Sequence, residues 1–245
     1  MRLTRSFRAL GPIDLRGVLR DPLLRWMIFF PLVVALAVRW GIPFAADIVR
    51  SSYQFDLLPF YPLLMAFVLL MTPMLAGMVI GFLLLDQKDD QTLAALQATP
   101  LMLNGYLTYR MVVPMLLSFL LTLILYLIAN LITISLTTLL LTALLAAPLA
   151  PFYALVLAGL ASNKVQGFAI AKGLGVMLLA PFAVYFVEPP LQWLVGIIPL
   201  YWPSKFMLEE IRGEGVGWLV FSVGFIYQMV LMAVLIRRFN TVMQR

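Results

Sequence analysis

The chain contains no histidine and no cysteine, so imidazole bases, thiolate nucleophiles, disulfides and the usual zinc ligands are absent from its chemistry. Whatever it does must run on carboxylates, lysines or hydroxyls. No G-x-x-x-x-G-K-S/T stretch is present to cradle a triphosphate, which excludes nucleotide binding of the P-loop kind. An intramembrane hydrolase would need paired acids, a Ser/Lys pair or a metal cluster, and the mid-span regions offer no Asp, Glu, Lys or Arg to build one. Ion-driven transport is disfavoured on the same ground, because coupling to protons or sodium leaves a buried carboxylate. One concentrated polar stretch remains, Asp86 to Pro100, DQKDDQTLAALQATP. Asp89, Asp90 or Thr92 can cap a short helix there, and Pro100 ends it. Leu93 and Leu96 fall three apart on one face, with Gln91 and Gln97 off it. The segment therefore reads either as a two-sided helix between a membrane and a protein, or as a capped, solvated turn joining two membrane helices.

The surroundings of this island are those of an integral membrane protein. Hydrophobic residues make up 63% of 245 and charged residues only 11%, and the mean hydropathy is +1.01. A soluble domain of this length has too little interior to hide that much apolar surface. Charges are confined to short segments between runs long enough to cross a hydrocarbon core of ~30 Å. Six spans are expected, at about 24–44, 58–85, 106–128, 132–160, 168–186 and 218–236. The net charge of +6 is read as an orientation signal rather than as nucleic-acid binding.

Ahead of the first span, Pro12 to Asp21 reads as an amphipathic helix lying in the membrane interface. Leu15, Val18 and Leu19 share one face, Asp14, Arg16, Arg20 and Asp21 the other, and Pro22 ends it. The apolar run Trp26 to Val38 followed by Ala45-Ala46 can mimic a secretory leader, but the long basic stretch before it argues against cleavage. Arg39 and Trp40 suit the far interface, where a long cation snorkels and an indole anchors. Asp47 to Asp56 reads as a polar loop. Gly77 and Gly81 form a small-xxx-small pattern that lets a second helix approach. Asn130 marks a turn, and Pro148 and Pro151 predict a kink in the fourth span. Lys172 is expected to reach back to the near interface. The segment 188–217 is too broken by proline to span and too aromatic for a water-exposed loop. It reads as one or two short re-entrant helices at the outer interface. With both termini cytoplasmic, that side holds thirteen of the seventeen Lys/Arg, leaving Arg39, Arg50, Lys205 and Arg212 outside. The positive-inside rule thus places the polar island in the cytoplasm.

Within the spans lie uncharged polar and aromatic residues: Tyr61, Thr72, Thr122, Tyr126, Thr137, Thr138, Tyr153 and Tyr185, with many methionines. Helix packing accounts for most of them. A few can line a path for an apolar or amphipathic molecule, because methionine and aromatic surfaces accept varied shapes.

The run from Leu83 to Arg110, LLLDQKDDQTLAALQATPLMLNGYLTYR, resembles the first cytoplasmic loop of type-2 ABC exporter permeases. Asp86, Thr92, Leu93, Leu96, Thr99 and Pro100 match that family's pattern, which more often has Glu at the position of Asp86. The Arg20-Asp21-Pro22 entry to the first span, the proline-rich segment after the fifth and the overall length are also similar, and drug-export permeases of the fluoroquinolone type look closest. The resemblance implies a coupling helix at 91–98 received by a separate nucleotide-binding subunit, which would hold ATP and Mg while this chain holds no cofactor. It also implies an interfacial connecting helix at 12–21, bearing Leu15, Arg16, Val18, Leu19, Arg20 and Asp21, and a second permease half, identical or related. The substrate path it implies runs near a two-fold axis, lined mainly by the second and fifth spans. Tyr61, Met65, Thr72, Met177 and Tyr185 are the candidate lining residues. The expected setting is a bacterial cell membrane. A membrane scaffold that recruits a soluble protein through the same loop is the alternative from another class.

Overall fold

The computed structural model describes residues 2–89, 103–213, 215 and 217–243. Among them the fold is all helix, and six helical stretches are long and apolar enough to cross a membrane. Helix α1, Arg2–Arg20, runs straight through Pro12 instead of starting there. Asp21 follows in an extended conformation, and its carboxylate accepts the amide N–H groups of Leu23 and Leu24 at 2.8 and 3.3 Å. That N-cap, with Pro22 at the first helical position, fixes where α2 begins.

Helix α2, Pro22–Tyr53, runs nine residues past the end of the expected first span, so Asp47 to Tyr53 is helical rather than a loop. It ends at Gln54, whose backbone enters the left-handed region at φ 52°. A 3-10 turn, Leu58–Phe60, leads into α3, Tyr61–Asp89. Asp86 and Asp89 therefore belong to the last turn of a spanning helix rather than to the loop beyond it. Helix α4, Leu103–Ala129, stops at Asn130, φ 41°, a residue type that tolerates left-handed backbone. Ser135 caps α5, Leu136–Ala146, by accepting the Thr138 N–H at 3.0 Å. The fourth span breaks at Pro148 and resumes as α6, Leu149–Leu160, as two closely spaced prolines require.

Asn163 caps α7, Lys164–Gly175. A 3-10 turn, Val176–Leu179, and then α8, Ala180–Phe186, complete the fifth span in three pieces. The re-entrant segment is a 3-10 helix, Leu191–Ile197, followed by α9, Tyr201–Arg212. Helix α10, Gly217–Met243, is the last span.

Helix α3 forms the centre: 83% of its most apolar stretch is enclosed, against 17% for α10. It packs against α6, α4 and α2. A Cβ on Gly77 would lie 2.2 Å from the Ala150 carbonyl oxygen, and one on Gly81 would lie 2.8 Å from Leu157 Cδ2. Only glycine permits α3 and α6 to meet this closely. The rim helices expose Trp26, Phe29, Leu120, Leu127, Leu219 and Ile226, as expected where the solvent is lipid.

The re-entrant segment departs from expectation in one respect. Its 3-10 helix exposes Leu191, Leu194 and Ile197, but Tyr201 to Glu209 of α9 are all buried. Helix α9 inserts among α5, α8, α10 and α3, with Trp202 beside Tyr227 and Phe206 beside Phe221. Its aromatic rings are packed in protein rather than seated at headgroup level.

Candidate functional site

The chemistry-bearing residues gather at the end of the bundle where the polar island leaves α3 and the chain returns as α4. Two ion-paired clusters sit there. In the first, the guanidinium of Arg110 on α4 forks onto Asp14 of α1, with Nη1 donating to Oδ2 at 2.7 Å and Nη2 to Oδ1 at 3.1 Å. The Arg110 side chain is 1% exposed and that of Asp14 is 9% exposed. Tyr109 donates its hydroxyl to Asp14 at 2.9 Å. Gln87 Oε1 on α3 accepts from Arg110 Nη2 at 2.9 Å and from the Tyr106 hydroxyl at 3.0 Å. Two parallel charge-assisted bonds and the Tyr106 and Tyr109 rings, 5.2 and 5.5 Å from the guanidinium carbon, offset the burial of the cation, although its Nε is left without a hydrogen-bond partner.

The second cluster centres on Lys164, the first residue of α7. Its ammonium lies 2.6 Å from Asp21 Oδ2 and 2.9 Å from Asp86 Oδ1. One cation thus joins the cap of α2 to the last turns of α3. Burial works against ionisation of Asp21, but the Lys164 ammonium and the two α2 amides outweigh it and hold the carboxyl below its ordinary value. Lys88 adds a third tie, donating to the Ala161 carbonyl at 3.3 Å.

Helix α1 meets the bundle through Leu10 and Asp14, while Leu15 and Leu19 face outward at 60% and 55% exposure. Asp14 therefore does not share the outward polar face expected for it, because Arg110 requires a buried counter-charge. Arg16 and Arg20 are exposed, Val18 is half-buried, and Asp21 serves α2 rather than α1. Of the island residues singled out by pattern, Asp86 is in the second cluster, whereas Thr92, Leu93, Leu96, Thr99 and Pro100 lie outside the described residues, as does the 91–98 helix.

The candidate lining residues divide into two groups. At the end of the bundle away from the island, the Tyr185 hydroxyl donates to the Pro59 carbonyl at 2.7 Å and its ring lies 5.7 Å from Phe60. Tyr61, half-buried, is next in the chain. Met65 and Thr72 are fully enclosed, and Thr72 is bonded to the Leu69 carbonyl at 2.8 Å and to Thr122 at 2.6 Å. Both sit on α3, the central helix of the single chain. Met177 is half-buried in the 3-10 turn of the fifth span, which touches α3.

A third cluster was not anticipated. Lys205 on α9 pairs with Glu209 at 2.6 Å, both side chains under a tenth exposed, and donates to Gln192 Oε1. Gln192 in turn donates to the carbonyls of Val184 and Val187 at 2.8 and 3.1 Å, binding the end of the fifth span to the 3-10 helix Leu191–Ile197. The signal was present as Lys-x-x-x-Glu, the i,i+4 spacing of a helical pair. The segment reads from sequence as short helices at the outer interface, which gives no reason to expect the pair to be buried.

Among the described residues, no group of three or more acids, histidines or cysteines is placed to hold a metal ion. The three clusters tie helices to one another.

Residues 14–236 match the family described as Fluoroquinolones export permease protein Rv2686c-like. The chain is 30% identical over 239 residues to Fluoroquinolones export permease protein Rv2686c of Mycobacterium tuberculosis strain ATCC 25618 / H37Rv, covering 96% of this chain and 94% of that one. The same identity and coverage relate it to Fluoroquinolones export permease protein MT2760 of strain CDC 1551 / Oshkosh. No solved structure matches. A multi-pass helical bundle, matched to the family over nearly its whole length, identifies this chain as a member of the Rv2686c-like fluoroquinolone export permease family.

Proposed function

We propose that this chain is the membrane subunit of an ATP-driven exporter that moves hydrophobic or amphipathic small molecules across a bacterial cell membrane. ATP and Mg bind on a separate nucleotide-binding subunit. A second permease, identical or related, completes the translocation unit. The polar island and both termini are cytoplasmic, and the 91–98 helix, with Thr92, Leu93, Leu96, Thr99 and Pro100, is the contact that receives force from the ATPase. The names of the relatives make fluoroquinolones the first substrates to test.

The observation that carries this reading is the anchoring of the island's two ends. Asp86 and Gln87 at its start, and Tyr106, Tyr109 and Arg110 after it, are tied to α1, to the cap of α2 and to the start of α7. A push on the island is thereby delivered to α1, α2, α3, α4 and α7 together, as a driven permease needs. Packed, bonded elements with discrete arrangements are the physical means of carrying such a displacement.

The test is reconstitution with the ATPase subunit in vesicles. Leu93→Asp with Leu96→Asp is expected to abolish co-purification and drug-stimulated ATP hydrolysis together. Unchanged association and hydrolysis would refute the coupling assignment. Association without any drug-stimulated hydrolysis in the unsubstituted chain would point to a scaffold instead.

A further inference from the structure

The fold sorts the charges between residues 8 and 25 by sign. Both acids are satisfied internally: Asp14 is buried against Arg110, and Asp21 caps α2 and pairs with Lys164. The four arginines of the same stretch, Arg8, Arg16, Arg20 and Arg25, are exposed. None of the four makes an ion pair among the described residues. A segment that reads as mixed in sequence therefore presents one sign of charge outward.

The same outward surface is also apolar. Ile13, Leu15 and Leu19 are 56%, 60% and 55% exposed. Helix α2 starts one residue beyond Asp21, with Arg25 exposed in its first turn and Trp26 55% exposed beside it. Cation and indole together mark the headgroup level, so the end of α1 lies at the depth where α2 enters the bilayer. Aliphatic side chains that continue the lipid-facing surface of α2 need acyl chains to cover them, and unpaired guanidinium groups need phosphodiesters. An acidic protein surface would satisfy the arginines but not the leucines.

We propose that α1 binds the anionic phospholipid of the leaflet on the island side, with Arg8, Arg16, Arg20 and Arg25 on headgroup phosphates and Ile13, Leu15 and Leu19 among the upper acyl carbons. The lipid then presses α1 onto the bundle and keeps Asp14 on Arg110. This concerns the membrane contact alone and stands whether or not the chain couples to an ATPase.

The experiment is hydrogen exchange of the full chain in nanodiscs of phosphatidylcholine alone and in discs containing about one-third phosphatidylglycerol. Amides of residues 8–20 are expected to exchange at least about tenfold more slowly in the anionic discs, since each arginine near such a surface contributes about a fivefold preference. The difference should shrink at ~0.5 M salt, where headgroup attraction is screened. It should fall to no more than about fivefold, the share of the remaining Arg25, in the combined Arg8→Gln, Arg16→Gln, Arg20→Gln variant, while the amides of α3 report an intact bundle. Equal exchange in the two kinds of disc overturns the proposal. So does a difference that survives both high salt and the triple variant undiminished, or a slowing that appears only when the ATPase subunit is added.

Discussion

Arg110 carries a full positive charge at a position with almost no exposure, and Asp14 is the only carboxylate bonded to it among the described residues. Removing one partner of such a pair strands the other. Asp14→Asn should therefore destabilise the folded chain by about 3–5 kcal/mol, read by chemical unfolding in mixed micelles. Asp14→Leu combined with Arg110→Met removes both charges and should recover most of that loss. If Asp14→Asn unfolds like the parent chain, the clasp contributes nothing.

Asp21 gives a pH-dependent counterpart. Its carboxyl is held below the ordinary 3.8 because Lys164 and the α2 amides outweigh burial. A depressed folded-state value means that the contribution to stability is present above that ordinary value and is lost as pH falls through the folded one. Stability measured between pH 6 and 3 should thus stay level at first and fall only at the acid end. Asp21→Asn should flatten the part of that fall due to this site, and it retains a capping side chain. Neither pairing could be read from sequence: Asp14 and Arg110 stand 96 positions apart, and no local pattern links them.

At the scale of the element, the α3–α6 contact depends on two missing side chains. Gly77→Leu must push against the Ala150 carbonyl and the Tyr153 Cβ, at 2.2 and 2.7 Å from the glycine's own Cβ position. The expected cost is about 1–3 kcal/mol or more, because backbone cannot yield as a flexible side chain does. A Cβ on Gly159 meets nothing within 4 Å, so Gly159→Leu serves as the control, expected to be close to neutral in the same unfolding assay. The spans themselves were legible because lipid demands long uninterrupted apolar runs, and so were the breaks at Pro148 and Asn130. The true ends were less so. Helix α2 outlasts its apolar run because Asp47, Arg50 and Ser51 are exposed and cost a solvated helix little. A helix within 188–217 was legible, but the burial of α9 was not, because proline's backbone restriction does not reveal whether the following turns are wet or buried.

For the whole molecule, hydropathy was enough for the class and the number of spans. It was silent on which span would be central. That was decided by packing: small residues let α3 and α6 meet, and a helix that meets most of its neighbours ends up enclosed. Within the single chain Met65 and Thr72 are enclosed, whereas Tyr185 bonds to the Pro59 carbonyl beside Tyr61, where the second and fifth spans touch. The account as a whole requires the island to lie on the side of the membrane where an ATPase can reach it. Because the chain has no native cysteine, Ala94→Cys creates a unique labelling position. In intact cells an impermeant maleimide should leave that position unmodified, should modify it fully in inverted vesicles, and should be blocked there once the ATPase subunit is bound. Modification from outside intact cells would contradict the account.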